Sequence, residues 1–440
     1  MIRLGRWPRR VLFGALGVLL LGGIARVWVG AIASARLEAE LARIRAAGEP
    51  LTLAAALPPI PEAENAAPLL AAAWARVEPE GESEGAMAFL MDPQTAPEAS
   101  LLAAAAWVER SAPALELLSK ALEARPRCQF GPPARAADLR FEEIPGVHRL
   151  GRVLATRAHL ACRRGDAGAA LPDARELDRL GDRVAQSPLL IHRIVGSAIQ
   201  AVGARVTEHA LQRGRPTAEA CRAAEASLGS SAPVRLDRTV ALTERAYGSE
   251  LFDRAAEDAR ARDAMVVLGG EGSSWLCALA PGPALALDHA RWLRLWSQAL
   301  PMAARPWSES GSAWTELEND TRRGSPWYAR ASSGGVWAFA FAARRLAVND
   351  ARRHLARLAL RLELDEQATG KLPERLEDLR DPLPGVDPVS GLPYVYRKTD
   401  EGRGYLLYAF GANRKDDGGA EEDATNGPHG DDIAFRRPAR

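Results

Sequence analysis

The residues of this chain whose types and spacing could do chemistry together lie near its C-terminus. Between Asp416 and Asp432 stand seven acids (Asp416, Asp417, Glu421, Glu422, Asp423, Asp431 and Asp432) and no Lys or Arg. Calcium is held by about six to eight oxygens, which Asp, Asn and loop carbonyls supply when a Gly-rich turn lets them converge. Asn413, Asp416, Asp417, Asp431 and Asp432 are the candidate metal ligands, and Gly418-Gly419 supplies the turn. The spacing is not that of an EF-hand, whose glycine and closing glutamate have no counterpart here. The simpler alternative is an acidic loop left in water.

No other constellation amounts to a catalytic signature. His148, His159, His192, His209, His289, His354 and His429 are dispersed, with no HExxH pair among them. Cys128, Cys162, Cys221 and Cys277 include no CxxC, so disulfides and buried free thiols both stay open. The stretch Gly269-Gly270-Glu271-Gly272-Ser273-Ser274 lacks the Lys of a phosphate-binding loop, and no nucleophile elbow occurs. The pair Glu142-Glu143 could serve acid–base chemistry, but nothing in the sequence places a pocket around it. A non-enzymatic role is therefore expected, with a hydrolase of unrecognised site as its rival.

The elements that must position these residues begin with an apolar segment. Arg3, Arg6, Arg9 and Arg10 precede it without any acid, and residues 11–33 are apolar except for Arg26. Those 23 residues would rise roughly 34 Å as a helix, enough to cross about 30 Å of hydrocarbon. A signal peptide cut near Ala33-Ser34-Ala35 is the competing reading. Leu37, Leu41 and Ile44 continue the helical period through that point, which favours an anchor. Arg26 can snorkel to headgroups beside Trp28. The basic flank puts residues 1–10 in the cytoplasm and the bulk outside, on an inner (cytoplasmic) membrane crossed once.

Composition supports a helical body behind this anchor. The chain has 440 residues, 47% hydrophobic and 26% charged, with a net charge of +1 and 6% aromatics. That balance is globular rather than disordered, and without a basic stripe it excludes a nucleic-acid binder. A juxtamembrane helix should end near Gly48-Glu49-Pro50, before a stiff Pro-rich connector that closes at Pro61. Leu69, Leu70, Ala73 and Trp74 mark a helix after it, and residues 80–98 read as a loop. Leu150, Leu154 and Leu160, then an Arg-Gly-Asp turn, then Ala170, Leu171, Ala174 and Leu177 describe a helical hairpin of tetratricopeptide-like form. A long helix follows over 189–212. Residues 262–336, rich in Trp, Gly and Pro, read as loops packed by aromatic anchors. Another long helix is expected over 336–368.

The text changes after that helix. A Leu372-Pro373 segment leads to Asp387-Pro388-Val389-Ser390-Gly391-Leu392-Pro393-Tyr394-Val395-Tyr396, where a hairpin begins, with 405–410 as its partner strand. Then come Gly411-Ala412-Asn413, the acidic stretch and Asp432-Ile433. This order resembles the soluble domain of pseudopilins, especially the major pseudopilin of type II secretion, over about residues 343–435. The resemblance implies a long helix against a small sheet, and a calcium ion in the acidic loop. The Asp-Pro turn is one residue longer here, Asn413 stands where that family has its first loop Asp, and residues 1–35 lack the prepilin peptidase signature. The whole layout also resembles a group of large membrane-anchored proteins of planctomycete-like and myxobacterial genomes.

The expected fold is thus mainly α: a transmembrane helix, a multi-helix body, and a small C-terminal α+β unit. Its segments are residues 1–10, the span at 11–33, the juxtamembrane helix and connector at 34–61, the body at 62–342 and the pseudopilin-like part at 343–440. The partners expected are the membrane, through residues 11–33, and other proteins. The expected role is an extracytoplasmic interaction or assembly factor, with accessory work in a secretion or pilus-like system as a variant of it.

Overall fold

The structure, a computed structural model, describes residues 6–78, 84–131, 135, 136, 139–230, 234–258, 281–324, 326, 328, 329, 331–381, 385–423, 427, 428 and 430–439. The glycines from 269 to 272, Trp275, Cys277, Trp327, His429 and the first arginine of the basic flank lie outside the described residues. Among them the chain forms fourteen α-helices and a small antiparallel sheet, so the fold is mainly α.

The first helix, α1 (Arg6–Ala46), runs for 41 residues without a break through Ala33-Ser34-Ala35. It is the one described helix long and apolar enough to cross a membrane. Leu19, Leu20, Val27 and Trp28 stand between 67% and 74% exposed, so the body covers none of this stretch. Farther along, Ala33 and Ile44 are buried, and Leu37 and Leu41 pack with Ile44 against Trp296 and its neighbours. Gly48 (φ +66°) turns the chain away after the helix. Next to it, Glu49 accepts from the buried Arg245 at 2.6 Å and from Arg238.

The body consists of α2 (Leu53–Ala56), α3 (Ala67–Trp74), α4 (Glu84–Met91), α5 (Glu98–Arg110), α6 (Ala112–Ala124), α7 (Glu143–Arg163), α8 (Ala167–Ala185), α9 (Leu190–Arg213), α10 (Ala218–Ser230) and α11 (Arg238–Glu257). The expected hairpin is α7 and α8. Gly165 (φ +81°) makes its turn, and the Asp166 carboxylate caps α8 by accepting from Ala169 N–H at 3.0 Å. The next crossing, α8 on α9, is closer than ordinary side chains allow. A Cβ on Gly196 would lie 2.4 Å from the Gly181 carbonyl oxygen, and one on Gly203 2.9 Å from that of Ala174. Glycine is needed there because backbone meets backbone.

Two expectations are corrected. Residues 80–98 contain α4 rather than only loop, because Ala86 and Phe89 bury fully and Gly85 lets α4 approach Ala103 of α5. The Trp-rich region contains two helices, α12 (Pro281–Ala303) and α13 (Trp307–Arg323). Its Trp residues do act as core anchors: Trp292, Trp296 and Trp314 are buried. The Trp292 ring lies where a Cβ of Gly248 or Gly335 would be, and its Nε1 donates to the Arg245 carbonyl at 3.1 Å.

The long helix α14 (Ala331–Thr369) is capped by Asp288 of α12, which accepts from Ala331 N–H at 2.9 Å and Ser332 N–H at 3.3 Å. It runs unbroken across residues 342 and 343. Against its C-terminal half lie β1 (Val395–Thr399), β2 (Gly404–Ala409) and β5 (Ile433–Arg437), in the order β1-β2-β5, all antiparallel. The expected hairpin is the pair β1–β2, with Val395 opposite Tyr408. A two-stranded pair, β3 (Glu422–Asp423) and β4 (Gly427–Pro428), interrupts the loop before β5. Leu407 and Phe435 of the sheet share one core with Leu150, Leu177 and Leu358 of the helices.

Replacing Gly196 with Val should force α9 off α8, and overpacking of this kind costs about 1–3 kcal/mol or more. Denaturant unfolding of the purified protein reads the loss; an unchanged midpoint would contradict the close crossing.

Candidate functional site

The acidic loop borders a cleft of about 1020 Å³ between α13, the first half of α14 and residues 412–431. Trp337 and Phe341 project from α14 on successive turns, 46% and 60% exposed. Their rings stack with centroids 6.1 Å apart at 26°, and the Arg322 guanidinium lies 5.9 Å from the Trp337 ring centre. One turn on, Arg344 donates to Asp431 at 3.0 Å and ties the loop to the helix. On the other wall, Arg414 donates to the Ser308 carbonyl at 2.6 Å, while Ser308 N–H donates to the Pro388 carbonyl at 3.1 Å. Lys415 and Glu318 complete a lining of both charges around an aromatic floor.

The Asp-Pro turn explains how this wall is held. Asp387 is buried and accepts from Val389 N–H at 3.0 Å and Ser390 N–H at 2.8 Å, closing the turn on its own carboxylate. Gly391 (φ +76°) takes the left-handed position and lies 3.2 Å, measured from an added Cβ, from Ser308. His354 and the Tyr394 hydroxyl are 3.1 Å apart and fix the start of the hairpin.

The structure brings four of the five candidate metal ligands together. Asn413 Nδ2 donates to Asp417 at 2.8 Å, and Asn413 N–H to Asp431 at 2.8 Å. Asp431 N–H donates to Asp417 at 2.9 Å, and Asp432 accepts from Asp417 N–H at 3.1 Å and Gly419 N–H at 2.8 Å. Asp416 turns aside to the Tyr408 hydroxyl at 2.7 Å and Arg397 at 2.9 Å. The Tyr408 and Gly418 hydrogen bonds hold the Asp416 carboxyl below its usual range, and the Asn413 amide does the same for Asp417. Burial instead pushes Asp432 up, and its Oδ1 has no hydrogen-bond partner. Among the described residues no three His, Cys, Asp or Glu are grouped closely enough to hold a metal. As arranged, amide N–H groups and Arg344 occupy the oxygens an ion would need.

Sequence reasoning missed Trp337, Phe341 and Arg344. Their spacing, one and then nearly one more helical turn, was the available signal, because it puts them on one face of the helix. The histidines are mostly core groups. Ser249 Oγ lies 2.8 Å from His289 Nε2, but the nearest acid, Asp253, is 3.8 Å from Nδ1 with its side chain 71% exposed. Ser249 and His289 are both buried, so this trio is packing rather than an accessible nucleophile. Cys128, Cys162 and Cys221 are buried, with burial pushing the Cys128 thiol up to about 12 and that of Cys162 up to about 11.

Comparison with protein-family models, curated proteins and solved structures returned no match.

The pair of half-buried His159 and buried His209, whose Nδ1 atoms are 2.7 Å apart, gives a pH test. Burial pushes both down to about 4; the His209 charge adds to this for His159, and Arg213 and Arg163 add to it for His209. Groups with depressed folded pKa values stabilise the protein above the unfolded value of about 6.5 and lose that contribution as pH falls toward 4. Glu208 and Glu244, both pushed up to about 7 by burial, act in the opposite sense, so the comparison is with the parent protein. His209→Gln should flatten the loss of stability between pH 6.5 and 4. Identical pH dependence of the two melting curves would refute it.

Proposed function

We propose that this protein is a membrane-anchored extracytoplasmic factor that binds another polypeptide in the cleft between α13, α14 and the acidic loop. The observation that carries the reading is the exposed Trp337–Phe341 stack, set among Arg344, Lys415, Asp417 and Glu318 on a body joined to its anchor. Aromatic anchors with mixed charges around them are the usual make-up of a protein-binding hot spot. The role is non-enzymatic, and its partner sits on the same side of the membrane as the body.

The order of α14, the Asp-Pro turn, the hairpin, the acidic loop and β5 supports the likeness to pseudopilin soluble domains. On that likeness, an accessory place in a secretion or pilus-like system is the more specific form of the role. The antiparallel α7–α8 pair supports tetratricopeptide-like packing in the body. The basic flank of α1 supports an inner-membrane location with residues 34–440 outside.

A photo-cross-linking residue at Trp337 or Phe341 should trap a partner in native membranes, whereas one at the 81% exposed Met91, outside the cleft, should not. Phe341→Asp should cut co-purification of that partner at least about tenfold, the effect of losing one hot-spot residue. Equal capture from both positions, or undiminished co-purification, would overturn the assignment of the cleft.

Calcium enters this reading as a ligand that rearranges the loop, releasing Asp431 from Arg344. The buried, unpartnered Asp432 Oδ1 supports it. Millimolar calcium should then raise the melting temperature of the full chain, EDTA should reverse the rise, and Asp432→Asn should abolish it. No calcium-dependent shift in the parent protein would remove the ion from the proposal.

A further inference from the structure

A second cavity, of about 650 Å³, lies on a different face, between the Pro-rich connector, α3 and the start of α7. Two aromatic rings form its wall. Trp74 is fixed against α7, where its ring fills the space that a Cβ of Gly146 would take. Phe130 lies 6.2 Å from it, centre to centre, and stacks on the buried His192 at 5.2 Å and 24°. The remaining polar lining is Asn65, Gln129 and the three carboxylates Glu62, Glu142 and Glu143. No Lys or Arg is among the described residues that line it.

These walls are pre-formed. Asn65 and Gln129 are joined by hydrogen bonds of 2.9 Å in both directions, and Gln129 also accepts from Ile60 N–H at 3.0 Å. Glu143 is held by His192 Nε2 at 2.7 Å. Burial opposes ionisation of Glu143, but the His192 hydrogen bond and the remaining polar contacts outweigh it and leave the carboxyl below its usual range. Phe141, immediately before the acid pair, adopts φ +52°, a left-handed conformation that bulky residues rarely take. Strained backbone of this kind persists where its surroundings over-determine it, as at ligand clamps. Two neighbouring guanidiniums have other partners: Arg125 donates to the Glu62 backbone carbonyl, and Arg127 pairs with Glu64 at 3.3 Å.

We propose that this cavity binds a small organic cation, its ammonium or trimethylammonium group seated against Trp74 and Phe130 and neutralised by Glu62, Glu142 and Glu143. The chemistry follows from the lining. A cation within about 6 Å of an aromatic face is attracted by the ring quadrupole, most of all when desolvated. Carboxylates alone would favour strongly hydrated metal ions, and aromatic walls alone would accept neutral apolar ligands. Together they select a cation that carries its own apolar surface. The cavity falls in the size range of small-molecule sites, roughly 300–1,000 Å³. Glu142 and Glu62 are exposed at the rim and draw the cation in, while Glu143, locked by His192, sets its depth.

The test is titration calorimetry on the full chain in non-ionic detergent, with choline as the probe and its neutral isostere 3,3-dimethylbutanol as the control. Choline should bind, and the isostere should bind at least about tenfold more weakly, the value of one cation–π contact combined with charge neutralisation. Glu142→Gln, a substitution at an exposed position, should weaken choline about fivefold to tenfold without changing the melting temperature. Phe130→Leu should weaken it similarly, and Glu116→Gln on α6 should leave it unchanged. Choline-headgroup vesicles added to the detergent-free protein in liposomes serve as a second arm: competition with free choline would name a lipid headgroup as the source, and its absence a soluble cation. Equal binding of choline and the isostere, or no choline binding up to about 10 mM, would overturn the proposal. So would choline binding that survives Glu142→Gln and Phe130→Leu undiminished.

Discussion

Everything C-terminal of residue 330 depends on how α14 handles its buried charges. Arg353, near the middle of this helix, is 5% exposed and donates to Asp178 of α8 at 2.9 Å, where Asp178 is fully buried. Two turns and more beyond, Glu363 is fully buried and accepts from Arg437 of β5 at 3.1 Å, with Glu366 sharing the same guanidinium. Buried ions are costly to leave unpaired, by about 3–5 kcal/mol when one partner is removed. The penalty therefore acts on register. Sliding α14 by one residue against α8 or β5 would strand several charges at once. An apolar helix of equal length could slide; this one is held at two points. The sheet, the Asp-Pro turn and the acidic loop all take their positions from it.

Close backbone packing supplies the complementary constraint. Charges fix where α14 sits along α8, and glycines fix how near α9 comes to α8, through Gly181, Gly196 and Gly203. The same device recurs at Trp292, whose ring occupies space vacated by Gly248 of α11 and Gly335 of α14. Large ring against missing side chain is a volume match that neither residue reveals alone. It lies within the core beneath α1, while the C-terminal strands share the other core with α7, α8 and α9 and so are not a unit separable from the helical body. Tyr405, Leu407 and Phe435 bury among helical residues rather than in a core of their own.

What the sequence made legible follows from range. The α7–α8 hairpin could be read because its apolar period and its Arg-Gly-Asp turn are local, and the β1–β2 pairing because alternation and turn residues are local too. The face of Leu37, Leu41 and Ile44 was likewise visible before its partner was known. The helix α4 was hidden because acids, Ser and Gly dominate its flanks, and only burial of Phe89 reveals its inner face. In α12, Pro281-Gly282-Pro283 reads as a turn although proline is well suited to a helix start. The acidic loop was recognised as a cluster, but its partners were not: Arg344 and Arg397 reach Asp431 and Asp416 from a helix and a strand that no local rule connects to them. The Glu142-Glu143 pair looked isolated for the same reason, since Trp74 arrives from far away in the chain and Phe130 from the irregular segment between α6 and α7.

The arrangement of three helices decides what the anchor does for the cleft. Along α1 and α12, Glu40 meets Arg294 and Arg43 meets Ser297, after Gly30 has approached Pro283, so the two run parallel at a constant offset. Along α12 and α14, Asp288 meets Ala331, Trp292 meets Gly335, and Trp296 meets Phe339, so these are parallel as well. At about 1.5 Å per residue, Phe341 then stands roughly 20 Å beyond the level of Gly30. A flexible tether would let the cleft sample many heights; a helix continuous with the body does not. On the proposed function, a partner engaging Trp337 and Phe341 would have to present its own surface at that height, which would restrict it to proteins held at the same membrane or long enough to reach it. On that proposal the N-terminal helix would be part of the binding specificity, because it would set position as the contacts set chemistry.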